Sequence, residues 1–357
     1  MEIQKVILAE NLEETLSNAM AECQPDRSFV LVDETTEQLC LPVVQDFECM
    51  KNVQKIVIKA GDQNKTLESV VHVWNELGAL GATRHSLLIN LGGGMVTDLG
   101  AFAASTFKRG ISVINIPTTL LSMVDASVGG KTGFNFRGLK NEIGVFRNAS
   151  SVILDTTFLR TMDHENLLSG YAEMLKHGLI NQTQAAQGEK SMMTELLTFD
   201  LNNPDLRQLQ RMIADSVQVK QRIVIEDPTE RGIRKALNLG HTVGHAFESL
   251  ALQRTPVLHG YAVAWGLVCE LYLSTIKTGF PVELMQQTVR FIVENYGRMP
   301  IDCKDYPTLL ELMTHDKKNV AGKINFTLLG NIGDIRIDQN ATKEEIEEAL
   351  DFYRDGQ

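Results

Sequence analysis

The stretch LGGGMVTDLGAFAAS, Leu91–Ser105, places three consecutive glycines after an apolar, β-favouring run. We expect the chain to pass here from a strand through a tight turn into a helix. Glycines let the backbone approach a ligand closely, and the first turn of a helix presents N–H groups to phosphate. The spacing is not G-x-G-x-x-G, so the usual dinucleotide fingerprint is absent, and a tight turn with nothing bound is the alternative.

Short β-rich runs recur on both sides of this turn, and helical stretches such as TLESVVHVWNELGALG lie between them. The runs are SFVLV (28–32), KIVIK (55–59), SLLINL (86–91), ISVINIP (111–117) and SVILD, which ends at Asp155. Strands that alternate with helices predict a parallel α/β sheet.

After about residue 160 the pattern becomes helical. The expected helices are HENLLSGYAEMLKHGLI, LRQLQRMIADSVQVKQRIV, HTVGHAFESLAL, GYAVAWGLVCELYLSTIKTG and VELMQQTVRFIVENYG. One exception is INFTLLG near residue 324, which predicts a short hairpin strand. A chain of 357 residues favours two domains, and these patterns predict an α/β nucleotide-type domain followed by a mostly helical domain.

Composition and charge exclude several classes of protein. The formal net charge is -11, which argues against a general binder of nucleic acids or membrane surfaces. The five cysteines are scattered, which favours a reducing compartment and no cysteine metal site. The amino terminus lacks the pattern of a signal peptide, and no apolar stretch reaches about 18 residues. We therefore predict a cytoplasmic protein that binds neither nucleic acid nor membrane.

Any anionic ligand of this acidic chain must be held by a local cluster of cations. The segments IPTTLLSMVDASVGGKTGFN and LKNEIGVF have too many glycines and hydroxyls for a packed element, so we expect a loop. Each lysine alone is typical of a solvated surface charge, but together in a glycine-rich loop they favour anion binding. The segments bring together Thr118, Thr119, Asp125, Lys131, Lys140 and Asn141.

Two histidines lie four residues apart in LNLGHTVGHAFE, Leu237–Glu248, and therefore project from one face of the expected helix. Thr242 between them excludes the H-E-x-x-H protease motif. Spacing alone would make His241 and His245 joint metal ligands. An acid/base pair and ordinary packing are the alternatives.

Further candidates for a metal site lie on both sides of this pair. His259 follows in LHGYAVAWG, and GYAEMLKHG upstream supplies Glu173 and His177, another pair four residues apart. Imidazole nitrogens and one carboxylate suit a catalytic Zn2+ with an open position for substrate.

Seven motifs in order resemble the 3-dehydroquinate synthase family of the sugar phosphate cyclases, over about residues 28–330. They are GGGMVTDLGAFAAS, IPTTLLSMVDASVGGKTGFN, KNEIGVF, GYAEMLKHG, RKALNLGHTVGHAFE, LHGYAVAWG and DKKN. Glycerol and iron-dependent alcohol dehydrogenases share the general architecture but not the GGKTGFN and DKK set. The resemblance implies a Rossmann-like α/β NAD-binding domain (1–160) and a mainly α-helical metal- and substrate-binding domain (161–357).

The resemblance also implies roles for individual residues. The metal ligands would be Glu173, His241 and His259, whereas His245 would transfer protons, with Glu230 as another candidate base. The substrate contacts would be Arg109, Asp125, Lys131, Asn141, Lys176, Lys220, Arg234, Asn238 and Lys317, with Lys318 as the alternative to Lys317. The NAD contacts would be Asp33, Asp62, Lys65, Gly93, Gly94, Met95, Asp98, Thr118, Thr119, Lys131, Lys140, Phe158, Leu159, Arg160 and Thr161.

The implied activity is the conversion of 3-deoxy-D-arabino-heptulosonate 7-phosphate to 3-dehydroquinate and phosphate in the shikimate pathway, with NAD and Zn2+ or Co2+ as cofactors. Arg234 suits the carboxylate of this substrate and Lys131 its phosphate. The family also implies a homodimer, in which Arg109 serves the neighbouring subunit.

Three other functions are alternatives to this one. They are a sibling cyclase, against which Arg234 and Asn238 argue, an NAD-dependent polyol dehydrogenase, and a nucleotide-binding regulatory protein that has lost catalysis.

Overall fold

The computed structural model describes residues 4–137, 139–183, 190–314 and 324–356. The strands are β1 Lys5–Leu8, β2 Ser28–Asp33, β3 Gln54–Ile58, β4 Leu87–Gly92, β5 Ser112–Pro117, β6 Lys131–Phe136, β7 Leu139–Phe146, β8 Ser151–Leu154, β9 Asn325–Asn331 and β10 Asp334–Asn340. The helices are α1 Leu12–Cys23, α2 Glu34–Leu39, α3 Leu41–Val44, α4 Leu67–Ala79, α5 Gly94–Thr106, α6 His164–Ile180, α7 Met192–Thr198, α8 Leu206–Glu226, α9 His241–Leu252, α10 His259–Thr278, α11 Val282–Tyr296, α12 Tyr306–Thr314 and α13 Lys343–Asp355.

The chain divides into two compact units. The first comprises Met1–Asp163 and Leu206–Val217, and the second comprises His164–Asp205 and Gln218–Gln357. The predicted domain boundary after residue 160 lies a few residues before Asp163, where the longer segment of the first unit ends. The first part of α8 belongs to the first unit, an assignment that the linear sequence pattern did not predict.

A six-stranded parallel sheet forms the centre of the first unit, in the order β1-β8-β5-β4-β2-β3. The prediction of a parallel α/β sheet is confirmed. Its inner strands are rich in Leu, Ile and Val because both faces are covered, and Leu31, Ile89 and Ile114 are fully buried. Strand β1 at the edge was not predicted and pairs with β8.

The carboxyl ends of the parallel strands carry the residues for which the resemblance implies NAD contacts. Strand β2 ends at Asp33, β4 at Gly92 and β5 at Pro117, and a 3-10 helix, Thr156–Thr161, follows β8. In an open parallel sheet these ends lie along one edge, where ligands of such sheets bind. The topology therefore brings residues that are distant in sequence to one edge of the first unit.

The prediction of a loop in the glycine-rich segment is wrong for GGKTGFN. Residues Lys131–Phe136 form β6, which pairs antiparallel with β7, and Ser122–Ala126 form a π-helical turn with a largely buried first half. The ring of Phe134 packs edge-on against Phe102 of α5, with ring centroids 5.1 Å apart. This long-range apolar contact stabilises the strand, and local composition does not reveal it.

Helices dominate the second unit, as predicted, and α6 and α9 have the bounds that their apolar spacing gave. Helix α10 is buried on most sides, which is typical of a central core helix. INFTLLG forms β9, which pairs antiparallel with β10, so the predicted hairpin strand is confirmed. No helix within the described ranges is long and apolar enough to cross a membrane. None of the five cysteines is paired in a disulfide.

Replacing Gly266 by alanine is expected to destabilise the second unit, because α9 and α10 cross there with almost no space between their backbones. A Cβ at this residue would lie 2.0 Å from the carbonyl oxygen of Gly240 and 2.6 Å from the nitrogen of Gly244. We expect the free energy of unfolding to fall by about 1–3 kcal/mol or more, measured by urea denaturation.

The control for this variant is Gly78→Ala in α4. A Cβ at Gly78 would have no atom within 4 Å, so alanine should instead stabilise the helix by about 0.5–1 kcal/mol. A Gly266→Ala protein as stable as the Gly78→Ala protein would contradict the crowded crossing.

Candidate active site

A buried lysine connects residues of the first unit for which the sequence implied contacts with NAD and with substrate. Lys65 is 3% exposed, and its Nζ lies 2.6 Å from Asp98 Oδ2 and 2.5 Å from Asn141 Oδ1. Asn141 has a left-handed backbone, with φ of 50°, and its N–H donates to Asn135 Oδ1. The structure thus joins the turn after β3, the start of α5 and the β6–β7 hairpin through one ammonium group.

Asp33 has a structural task as well as its implied cofactor contact. Its Oδ1 accepts the backbone N–H groups of Thr35 and Thr36 at 3.0 and 2.8 Å, and the side chain of Thr36 completes a capping box. Asp33 therefore stabilises the start of α2 and holds it directly after β2. The sequence did not predict this cap.

The other implied NAD residues lie in the turns around these elements. Gly93 is the N-cap of α5 without a side-chain cap, so the first N–H groups of this helix lack a side-chain acceptor there. Asp62 Oδ2 lies 3.7 Å from Lys140 Nζ. The side chains of Phe158 and Leu159 are buried, so a ligand contact there would come from the backbone. Of the remaining implied NAD residues, Gly94, Met95 and Thr119 are half-buried, Thr118 is buried, and Lys131, Arg160 and Thr161 are exposed. Of the implied substrate residues of this unit, Asp125 is half-buried and Arg109 is exposed.

Three side chains of the second unit converge on one point, and they are the three that the resemblance implies as metal ligands. Glu173 Oε1 lies 3.4 Å from His241 Nε2 and 3.6 Å from His259 Nε2. One ligand atom from each residue lies within 4.8 Å of the other two. Glu173 is fully buried, and its Oε1 has no hydrogen-bond partner among the described residues. One carboxylate and two imidazoles of this kind fit a catalytic Zn2+ or Co2+.

Neighbouring charges set the ionisation of this cluster. Burial alone would raise the pKa of Glu173, but the Lys176 ammonium and the imidazoles hold this pKa well below its usual range. Lys176 is 1% exposed and forms an ion pair with Glu173. Burial opposes protonation of His259 also, yet the carboxylates of Glu173 and Glu248 raise its pKa to about 10. A metal that binds here would compete with a proton for the His259 ring.

Each of these two histidines has a partner that orients its ring. His241 Nδ1 lies 3.0 Å from the carbonyl oxygen of Leu239, and His259 Nδ1 lies 3.2 Å from Glu248 Oε2. If Nδ1 donates in both contacts, Nε2 of each ring is left facing Glu173, where its unprotonated form would bind a metal. Second partners of this kind are typical of histidines that bind metals.

His245 lies beside the cluster and is not one of the three converging side chains. Its ring centroid is 5.4 Å from that of His241 and 6.0 Å from that of His259. The i, i+4 spacing correctly puts His241 and His245 on one helix face, but His259 of α10 supplies the second imidazole of the cluster. Spacing alone therefore suggested a different pair from the one that the structure brings together at Glu173. His177, which spacing left open as a partner of Glu173, is fully buried.

A short loop arranges further candidates for substrate binding. The carboxylate of Asp227 accepts the N–H groups of Arg231, Gly232 and Arg234. Arg234 is 2% exposed, and its Nη1 donates to the carbonyl oxygen of Pro228 at 2.7 Å.

Three more candidates for the substrate site lie in this part of the sequence. Two of them contact each other, and the third is buried. Asn238 Nδ2 donates to Glu230 Oε1 at 3.0 Å, and Glu230 has φ of 60°. Lys220 is 6% exposed. Lys317 and Lys318 lie outside the described residues.

Three acidic residues that support the site were not predicted from the sequence. Glu248 contacts His259, Asp227 organises the loop of Arg234, and Glu270 of α10 accepts N–H groups at the start of α9. Glu248 lies seven residues after His241, on the same helix face, so its spacing was a usable signal. Glu270 is far from α9 in sequence and gave no local signal.

Solved sugar phosphate cyclases share this fold of a parallel α/β unit and a mainly helical unit. 2-Deoxy-scyllo-inosose synthase, solved with carbaglucose-6-phosphate, NAD+ and Co2+, matches with a TM-score of 0.85 at 22% identity, over 99% of this chain and 96% of that chain. 2-Epi-5-epi-valiolone synthase from Streptomyces hygroscopicus, with NAD+ and Zn2+ bound, matches with a TM-score of 0.82 at 25% identity, over 100% of this chain and 98% of that chain.

Within this class, the sequence matches narrow the assignment. Residues 55–169 match the family model for the 3-dehydroquinate synthase N-terminal domain, and residues 170–319 match that for its C-terminal domain. A 3-dehydroquinate synthase of Parabacteroides distasonis is 52% identical over 356 residues, 99% of each chain. The chain belongs to the 3-dehydroquinate synthase family.

Proposed function

We propose that this chain is an NAD- and metal-dependent lyase that converts 3-deoxy-D-arabino-heptulosonate 7-phosphate to 3-dehydroquinate and phosphate. The observation that carries the proposal is the buried Oε1 of Glu173, which faces Nε2 of His241 and of His259 within 3.6 Å. Membership of the 3-dehydroquinate synthase family supports the same activity. Incubation with the heptulosonate phosphate, with phosphate and dehydroquinate both measured, tests it. Absence of dehydroquinate would overturn it.

The proposed metal ligands are Glu173, His241 and His259. A bound Zn2+ or Co2+ would supply Lewis-acid stabilisation of negative charge on substrate oxygens. The chain itself keeps the Glu173 carboxylate ionised, because the buried ammonium of Lys176 lowers its pKa. Leu239 and Glu248 hold the two rings so that both Nε2 atoms face the carboxylate.

The proposed NAD site is the carboxyl edge of the parallel sheet, and the cofactor would supply a reversible hydride acceptor. Around it we assign Asp33, Asp62, Lys65, Gly93, Gly94, Met95, Asp98, Thr118, Thr119, Lys131, Lys140 and Phe158–Thr161. The Lys65 ammonium holds Asp98 and Asn141 at fixed positions before any ligand binds. Such preorganisation reduces the cost of ordering side chains on binding.

We assign the substrate contacts to a set of cations and polar side chains. The buried guanidinium of Arg234 matches a planar carboxylate, and the exposed ammonium of Lys131 matches a phosphate oxygen. His245 is proposed to move protons on the substrate, with Glu230 as a second candidate base. The remaining assignments are Arg109, Asp125, Asn141, Lys176, Lys220, Asn238 and Lys317.

The assembly and location are also proposals. We propose a cytoplasmic homodimer in which Arg109 serves the neighbouring subunit's site. Arg109 is exposed and has a left-handed backbone, with φ of 71°, next to Lys108 with φ of 49°. Because Arg109 is exposed, its side chain is accessible for a contact outside its own chain.

Arg234→Ala and Lys131→Ala are each expected to weaken binding of a phosphonate analogue of the substrate. NAD affinity should stay nearly unchanged in Arg234→Ala and should fall less than analogue affinity in Lys131→Ala, because Lys131 is also assigned to the NAD site. The loss for Arg234 should reach about 2–5 kcal/mol, because a buried charge-assisted contact is removed. The loss for Lys131 should be smaller, because water screens an exposed charge. Titration calorimetry with each ligand measures both affinities.

Two further variants serve as controls for this experiment. Lys304→Ala removes an exposed charge and should change neither affinity. Arg234→Lys keeps the charge but not the planar fork, and should bind the analogue more weakly than wild type. An equal fall in NAD affinity in the Lys131 variant would assign that loop to the cofactor instead.

A further inference from the structure

The carboxylate of Glu270 holds the start of the helix that carries His241. Glu270 lies on α10 and is fully buried. Its Oε2 accepts the N–H of Gly240 at 2.6 Å, and its Oε1 accepts those of Thr242 and Val243 at 2.9 and 3.1 Å. N–H groups at the start of a helix have no acceptor within the helix. A carboxylate from a different helix therefore caps α9.

The residue at the N-cap position of α9 cannot cap the helix with its own side chain. Gly240 is the N-cap of α9, has φ of 78° and makes no side-chain hydrogen bond. A Cβ there would lie 2.8 Å from Leu267 and 3.1 Å from the carbonyl oxygen of Val263, so Ser, Thr or Asp would not fit. Burying an ionised carboxylate is costly unless it is well hydrogen-bonded. A remote buried glutamate is thus a costly cap, and it lies at the start of a helix whose first residue is the candidate metal ligand His241.

The hydrogen bonds of Glu270 lie on both sides of His241. The imidazole of His241 is itself oriented by the carbonyl oxygen of Leu239, the residue before Gly240. The backbone of residues 239–241 sets both the Cα position of His241 and the position of the Leu239 carbonyl that holds its ring. Fixing this backbone therefore also fixes His241 Nε2 opposite Glu173. Glu248 of α9 does the corresponding task for His259 of α10, through a direct contact.

We propose that Glu270 is a positioning residue that preorganises His241 for the metal by fastening the start of α9 to α10. This inference rests on the proposed metal site and extends it beyond the three ligands. Loss of a group that orients a metal ligand typically weakens metal affinity by about 10–100-fold. We expect Glu270→Gln to show a loss of this size, since the amide NH2 cannot accept and at least one of the three N–H bonds is lost.

The test titrates metal-free Glu270→Gln with Zn2+ against a competing chelator, and with Co2+ while the visible absorption spectrum is recorded. We expect weaker zinc affinity and a changed Co2+ spectrum. Glu345→Gln is the matched control, because Glu345 also accepts a backbone N–H at a helix start, that of Thr342 before α13. It should lower thermal stability at most and bind both metals as wild type does.

A Glu270→Gln protein that melts at a lower temperature yet binds Zn2+ and Co2+ like wild type would overturn the inference, because Glu270 would then be only a cap. If that variant does not fold, Glu270→Asp carries the test. It keeps the charge but is one methylene shorter, and wild-type zinc affinity would again overturn the inference. A wild-type chain that binds neither metal would instead overturn the proposed metal site, and this inference with it.

Discussion

His241→Ala is expected to lose the bound metal and to lower turnover by about 10³-fold or more. The expected loss corresponds to about 4 kcal/mol of transition-state stabilisation, a reasonable share for a Lewis acid. Removing the imidazole leaves one carboxylate oxygen and one ring nitrogen where three ligand atoms now lie within 4.8 Å of one another. Metal analysis of the purified protein and steady-state kinetics measure the two losses.

The controls separate loss of the metal from loss of structure. Chelation of the wild-type chain should abolish activity, and added Zn2+ or Co2+ should restore it. His164→Ala removes an exposed imidazole at the start of α6, the helix that carries Glu173, and should keep both metal and activity. A His241→Ala protein with wild-type zinc content would contradict the ligand assignment.

Regular elements were predictable where local pattern and tertiary packing agree. The apolar spacing of HTVGHAFESLAL gave the bounds of α9, and the Val- and Ile-rich runs gave β2, β4 and β5. The β6–β7 hairpin was missed because the segment that leads into it, SMVDASVGGKTG, is rich in glycines and hydroxyls. It is stabilised by the packing of Phe134 against Phe102, a contact that no local window contains.

In the candidate site, too, local features could be predicted from the sequence, whereas features set by tertiary packing could not. Residue types and spacing were enough to point to a metal near His241, since imidazoles on one helix face are visible in the sequence. They could not choose between His245 and His259, because the crossing of α9 and α10 decides which ring reaches Glu173. The resemblance to the family supplied that choice. The groups that hold the ligands, Glu248 and Glu270, became visible only through their contacts.

Catalytic amounts of NAD are expected to support many turnovers, with phosphate released in equal amount to the substrate consumed and no lasting accumulation of NADH. A polyol dehydrogenase, the alternative from a different reaction class, leaves the hydride on the cofactor. An enzyme that oxidises a carbon, expels phosphate and then reduces the same carbon consumes no NAD overall. The proposed contacts of Lys131 with phosphate and of Arg234 with carboxylate are useful only to the enzyme that expels phosphate. A single hydride transfer, as in a dehydrogenase, has no phosphate to expel.

The His245→Ala variant separates the steps of this reaction. His245 lies beside the three converging ligands without being one of them, so its loss should leave zinc content, NAD affinity and substrate affinity nearly unchanged. Turnover should fall by about 10²–10⁴-fold, the usual contribution of a positioned proton-transfer group. Absorbance of NADH, released phosphate and dehydroquinate are followed in the same reaction. In the wild-type chain, NADH that accumulates in step with substrate consumption, without phosphate release, would reject the cyclase and leave the dehydrogenase, because only a reaction that ends at oxidation stores the hydride on the cofactor.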